Sequence, residues 1–280
     1  MLDEPGLVAS ADPDFADEPL VDAGRSWQQG LRLGRLTRLR QIGDELYAAG
    51  EGGQTYRRAK GAWEPLDPAF FRPEIDPNWQ LEFIPADWIA KGYSVTDYLA
   101  EHPDITDRWA ERLTEVYRDD LIYGINGPHQ NEVYVCGKDG LLAVRTDEGG
   151  FRRLPLETEA RLLDIAVLDE DRILVCGEQV LLIGNHRDGF RPAARLPSDL
   201  TFRRMAVLAG KVYLAASGGS GGLFVCDNGR LARVETSLDR EIGGLSWLSA
   251  TEDMLLAVGH KEIVRFDGKS WDRVRYPGNG

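Results

Sequence analysis

Five apolar pentapeptides decide how this chain is read: LYAAG at 46–50, VYVCG at 133–137, ILVCG at 173–177, VYLAA at 212–216 and LLAVG at 255–259. Their starts are 87, 40, 39 and 43 residues apart, so the first interval holds one repeat plus roughly 47 further residues. Self-similarity at a fixed period of this size marks a repeat architecture. A second short apolar stretch precedes the pentapeptide, as in LTRLRQI (36–42), LLDIAVL (162–168), FRRMAVL (202–208) and IGGLSWL (242–248). After the pentapeptide come a turn, a third strand-like run and a fourth that often begins with an aromatic residue. In the last copy KEIVRF (261–266) passes through Asp267-Gly268 into SWDRVRY (270–276). An Asp-Gly pair tolerates the positive φ of a tight hairpin. The first copy ends in QTYRR and KGAWEPL, and the middle ones in EGGFRRLPL, RDGFRPAARL and DNGRLARVE.

Four short strands every 40 or so residues form a meander sheet that cannot bury both faces alone and must stack on its neighbours. Radial stacking of such sheets is the β-propeller, an all-β fold. A sandwich would not explain a repeat of constant length with the same strand order in each copy. Six blades are expected, with five and seven open, because RSWQQGLRL (25–33) resembles the closing strand SWDRVRY and supplies part of a sixth. The expected organisation is an acidic N-terminal segment, 1–35, and a propeller, 36–280, interrupted by an insertion at 67–120.

Charge is distributed unevenly. Residues 1–24 hold seven acids and no Lys or Arg, and residues 67–120 hold thirteen acids against five basic residues, so these two segments outweigh the whole net charge of −13. Such a field repels phosphate backbones and anionic lipid, while it attracts a basic protein surface. Neither nucleic acid nor membrane is expected as a ligand. With 42% hydrophobic and 28% charged residues the chain has ordinary globular composition. The N-terminus lacks a basic region followed by an apolar run, and no stretch approaches the length of a membrane span, so a soluble, cytoplasmic protein is expected. Cys136, Cys176 and Cys226 each lie in an apolar run, as reduced core thiols do.

The insertion is no further blade. Prolines 68, 73, 77 and 85 predict an irregular first half, and nine of the 25 aromatic residues fall within residues 67–120. Ser94 followed by Asp97 predicts a capped helix through Leu99, stopped before Pro103. A second helix is predicted from about Thr106 to Arg118, with Ile105, Trp109, Leu113, Val116 and Tyr117 along one face and acids on the others. Loops carried on a rigid scaffold are where recognition residues sit. Trp88, Tyr93, Asp97, Glu101, Asp104, Trp109 and Glu111 are accordingly the candidate partner-binding residues, an acidic and aromatic surface suited to a basic protein.

Catalytic and cofactor signatures are missing. His102, His129, His186 and His260 share no metal-binding spacing with Cys or carboxylates, and no metal or cofactor is expected. GEGGQT (50–55) lacks the spacing and Lys of a phosphate loop, SGGSGG (217–222) reads as a hairpin turn, and no nucleophile elbow occurs. A pair of carboxylates at the central channel would suit a glycosidase-like site, and that reading stays open.

The repeats, above all IGDELYAAGEGGQTYRRAKGAWEPLD, NEVYVCGKDGLLAV and HKEIVRFDGKSWDRV, resemble bacterial propeller proteins of the WD40-like and BNR-like kind. The sialidase Asp-box and the Gly-His and Trp-Asp signatures of true WD40 blades are absent. The resemblance implies a cytoplasmic, non-catalytic protein-binding propeller of the kind suspected to act as immunity protein to a secreted polymorphic toxin. A glycan- or ester-directed hydrolase or lyase, and an assembly scaffold, are the alternatives.

Overall fold

The computed structural model describes residues 7–8, 18–19 and 36–274, apart from 68–69, 71–78, 117–120, 147–148, 198, 219–220, 228, 243 and 261. Two short strands, β1 (Leu7–Val8) and β2 (Glu18–Pro19), pair with each other. The remaining strands form five four-stranded sheets, each built from strands consecutive in the sequence. The first is β3 (Leu36–Ile42), β4 (Glu45–Gly50), β5 (Thr55–Ala59) and β6 (Ala62–Pro65). The second is β7 (Ile122–His129), β8 (Glu132–Gly137), β9 (Leu142–Thr146) and β10 (Arg152–Arg153). The third is β11 (Leu162–Val167), β12 (Ile173–Gly177), β13 (Val180–Asn185) and β14 (Gly189–Pro192). The fourth is β15 (Thr201–Leu208), β16 (Lys211–Ser217), β17 (Gly222–Asp227) and β18 (Arg230–Arg233). The fifth is β19 (Leu245–Ala250), β20 (Leu255–Gly259), β21 (Ile263–Phe266) and β22 (Trp271–Arg273).

Each pentapeptide is the second strand of its sheet. The fold is a β-propeller of five blades, which corrects the expected six. Every complete repeat supplies its own four strands, so among the described residues no sheet borrows a strand from the N-terminal segment. RSWQQGLRL, the stretch assigned to the extra blade, lies outside the described residues.

Second strands are largely apolar because most of their residues are covered. All six residues of β8 and all five of β12 are buried. Three apolar clusters lie between successive blades. Tyr134, Leu142 and Leu162 meet Val175 between the second and third, Leu174 and Leu181 meet Phe202 and Leu214 between the third and fourth, and Leu223 meets Leu248 and Leu255 between the fourth and fifth. Complete burial of one such side chain contributes about 1.5–3 kcal/mol. Cys136 and Cys176 belong to this packing, their thiols unpaired and pushed up in pKa by burial. At the last hairpin Gly268 adopts φ +84°, while Asp267 Oδ1 accepts from the backbone N–H groups of Lys269 and Ser270 at 2.9 and 2.7 Å. Those donors hold the Asp267 carboxyl below its usual range.

The helical insertion is small. A 3₁₀ turn (Trp79–Glu82) leads to α1 (Ala86–Ala90), α2 (Val95–Glu101), a second 3₁₀ turn (Pro103–Ile105) and α3 (Thr106–Val116). Both predicted helices form. Ser94 caps α2 by accepting from the Asp97 N–H at 3.3 Å, and the helix runs two residues beyond Leu99 before Pro103 intervenes. Residues 117–118, assigned to the end of the second helix, lie outside the described residues.

Candidate functional site

By its internal contacts the chain divides into two units, residues 1–36 with 50–121 and residues 37–49 with 122–280. The insertion belongs to the first, and each unit contains one region with the character of a site.

In the insertion, aromatic packing holds the helices together. Trp109 on α3 is buried with Ile84 and stands edge-on to Phe83 at 5.6 Å. Trp88 on α1 touches Tyr93 at 4.9 Å and Tyr98 at 5.1 Å, and its indole N–H donates to the Ser94 carbonyl at 3.1 Å. Of the seven candidate residues, Trp109 is 7% exposed and unavailable to a partner. Its place at helical spacing facing Ile84 makes it the anchor of this small core. Trp88 is half-buried, and Tyr93 is 54% exposed. Asp97, Glu101, Asp104 and Glu111 are all exposed and form no ion pair among the described residues. They share that exterior with Leu81 and Ile89. Two other pairs of charges in the insertion are matched, Lys91 to Asp87 at 3.4 Å and Arg112 to Glu82 at 3.2 Å.

The second region is formed by the first strands of the blades, and sequence reasoning passed over it. Each of β7, β11, β15 and β19 carries a register shift at the same place, between Ile122 and Gly124, Leu162 and Asp164, Phe202 and Arg204, and Leu245 and Trp247. A bulge re-aims the side chain beside it. The residue after each bulge pairs with the fourth residue of its pentapeptide: Gly124 with Cys136, Asp164 with Cys176, Arg204 with Ala215 and Trp247 with Val258. Arg38 of β3 joins this set through its contacts. Its guanidinium lies 2.7 Å from Asp164 Oδ1 and 5.3 Å from the centre of the Trp247 ring, which the Arg204 guanidinium approaches to 5.0 Å.

The inner-strand positions thus read Arg, Gly, Asp, Arg, Trp around the centre. Glycine is required in the second because a Cβ on Gly124 would stand 2.7 Å from the Cys136 sulfur and 3.2 Å from the Asp164 Cα. Asp164 and Arg38 are sealed, each side chain 1% exposed, whereas Arg40 and Arg204 are half-buried and Trp247 opens to solvent. Asp164 is saturated with donors. Its Oδ1 receives Arg38, the Ile165 N–H at 3.0 Å and Arg40 at 3.5 Å, and its Oδ2 receives the Met205 N–H at 2.8 Å. A carboxylate so engaged, with no second one at the equivalent strand positions, gives no acid–base pair of the kind glycoside hydrolysis uses. The chemistry of this centre is that of guanidinium groups in excess over carboxylate, beside an exposed indole.

No family model matches the chain. Among curated proteins it is similar to the immune protein Tsi7 of Pseudomonas aeruginosa strain PAO1, with 24% identity over 152 residues, 54% of this chain and 47% of the relative. The match therefore spans about half the length of that protein. Among solved structures the chain is similar to Ycf48 bound to D1 peptide, with TM-score 0.53 and 13% identity over 84% of this chain and 66% of that one. An ancestral GH74 enzyme aligns with TM-score 0.49 and 12% identity over 86% of this chain and 31% of its own. The structural likenesses concern the fold.

Proposed function

We propose that the protein is a non-catalytic binding propeller that recognises and neutralises a bacterial protein toxin in the cytoplasm, as an immunity protein. The similarity to Tsi7 carries this reading. Two features of the chain support it. One is the set of carboxylates Asp97, Glu101, Asp104 and Glu111 on the insertion, exposed and unpaired among the described residues, with Tyr93 exposed on the same segment. Charges of one sign held on an exterior accelerate encounter with a surface of the opposite sign, and a nearby aromatic supplies the desolvated anchor that binding energy concentrates on. The other is the centre of the inner strands, whose lone inner carboxylate is consumed by structural hydrogen bonds.

The partner on this reading is a protein with a basic face, such as the cleft of an enzyme that acts on a polyanion. Capture of the tagged full chain from its native host, followed by mass spectrometry, tests it. The expected result is one stoichiometric protein that arrests growth when expressed alone and is tolerated when this chain is co-expressed. A stoichiometric partner that is harmless alone, or toxicity undiminished by co-expression, would contradict the proposal.

A further inference from the structure

We propose that the guanidinium cluster at the centre of the inner strands is a binding site for a small oxyanion, a carboxylate or phosphate group. The inference concerns a different unit of the chain from the insertion and stands independently of the toxin reading.

It follows from the donors left over. Arg38, Arg40 and Arg204 bring three positive charges to one carboxylate, whose Oδ1 already takes Arg38, Arg40 and the Ile165 N–H and whose Oδ2 takes the Met205 N–H, so the positive charge is left in excess. Two guanidinium groups also reach backbone carbonyls, Arg38 to Leu163 at 3.4 Å and Arg204 to Leu163 and Arg203 at 3.4 and 2.7 Å. What remains is a set of buried N–H groups with no acceptor: Arg38 Nε and Nη1, Arg40 Nε and Arg204 Nε. A buried donor without a partner costs the fold its full desolvation penalty, more so when charged. A group with several acceptor oxygens and negative charge is the partner best suited to such donors on neighbouring arginines.

The electrostatics agree. Burial together with the positive charge of Arg38 lowers the Arg204 pKa, the mark of a centre short of anions. Trp247 offers the way in. It is 41% exposed, and both the sealed Arg38 and the half-buried Arg204 approach its ring. A ligand entering beside the indole meets the half-buried Arg204 before the deeper Arg38. Glycine at position 124 matters here as well, since a side chain there would press on the Asp164 backbone and on the geometry that Asp164 imposes on the arginines.

Titration calorimetry of the full chain with sodium phosphate and with sodium citrate, at constant ionic strength and low chloride, tests the proposal. The expected result is saturable binding of at least one of the two, about tenfold weaker in Arg204→Gln and in Arg40→Gln, each of which removes one charge-assisted donor from the half-buried rim. Arg57→Gln, which removes a charge paired with Glu64 and not part of the cluster, is expected to bind as the wild type does. Preference for phosphate or for citrate separates a tetrahedral from a planar anion as the ligand. Heat no greater than the ionic-strength control with both anions, or equal affinity in wild type and the two rim variants, would overturn the site. Circular dichroism on each variant establishes that it is folded, and the three rim and control substitutions leave the sealed pair Arg38–Asp164 in place.

Discussion

The insertion and the centre of the inner strands carry opposite charge, and they hold it in opposite ways. On the insertion, acids outnumber basic residues and stand in water on short helices, where each charge costs little and reaches far. At the centre, guanidinium groups outnumber a single carboxylate and are locked by strand bulges into a region where Arg38 and Asp164 are sealed. Exposed charge is cheap to place and weak in any one pair, whereas buried charge must be matched donor by donor. The first arrangement suits long-range steering of a large partner. The second suits short-range recognition of a small one.

Substitutions should separate the two regimes clearly. The largest effect is expected at Asp164→Ala, which leaves Arg38 buried without its counter-charge and orphans the Met205 and Ile165 N–H groups. A loss of about 3–5 kcal/mol in denaturant-induced unfolding is expected, and a loss under about 1 kcal/mol would place the arginines in solvent-like surroundings. Next comes Trp109→Ala on the insertion, expected to cost about 3 kcal/mol of local stability because it empties the small core around Ile84. Hydrogen exchange reads this as faster exchange of α2 and α3 amides. Unchanged protection there would show that the helices do not depend on this anchor.

Gly124→Ala is expected to cost about 1–3 kcal/mol through overpacking against Cys136 and Asp164, part of which Cys136→Ala should restore, since the sulfur is the nearest atom. Full stability of the single variant would mean that the inner strands yield more readily than their packing suggests. Ser94→Ala, which removes the α2 cap, is expected to cost about 1 kcal/mol, visible in the exchange of the Val95–Glu101 amides; no change would indicate that packing of Tyr98 alone holds the helix.

Much of this architecture was legible in the residues, and the exceptions have physical causes. The pentapeptides announced the second strands because a strand buried on most of both faces is rich in apolar residues, as β8 and β12 are. Ser94 and Asp97 announced α2 because capping is local chemistry. The blade number was misread because RSWQQGLRL shares only an aromatic start and alternating pattern with SWDRVRY, and an outer strand has so little burial that its pattern is weakly constrained; β22 itself has no buried residue. Trp109 lies buried with Ile84, and a large aromatic on an amphipathic helix has the same spacing whether it meets a partner or its own core. The arginine centre went unnoticed although its signal was present. Arg38, Asp164, Arg204 and Trp247 each lie eleven or twelve residues before the fourth position of their pentapeptide. Aligning the repeats on the pentapeptides and asking where charge recurs would have found it, but that these positions converge is a property of blade stacking and bulge geometry, which no single repeat displays.

The claim that recognition resides in the acidic insertion is tested most directly by affinity for the partner captured from the native host, measured for the wild type and for the combined variant Asp97→Asn, Glu101→Gln, Asp104→Asn, Glu111→Gln at low and physiological salt. All four side chains are exposed and unpaired among the described residues, so stability should stay within about 0.5 kcal/mol of wild type. Affinity should fall at least about tenfold at low salt, with most of the salt dependence lost along with it. Equal affinity and an unaltered salt dependence in the folded variant would contradict the account and move the binding surface off the insertion.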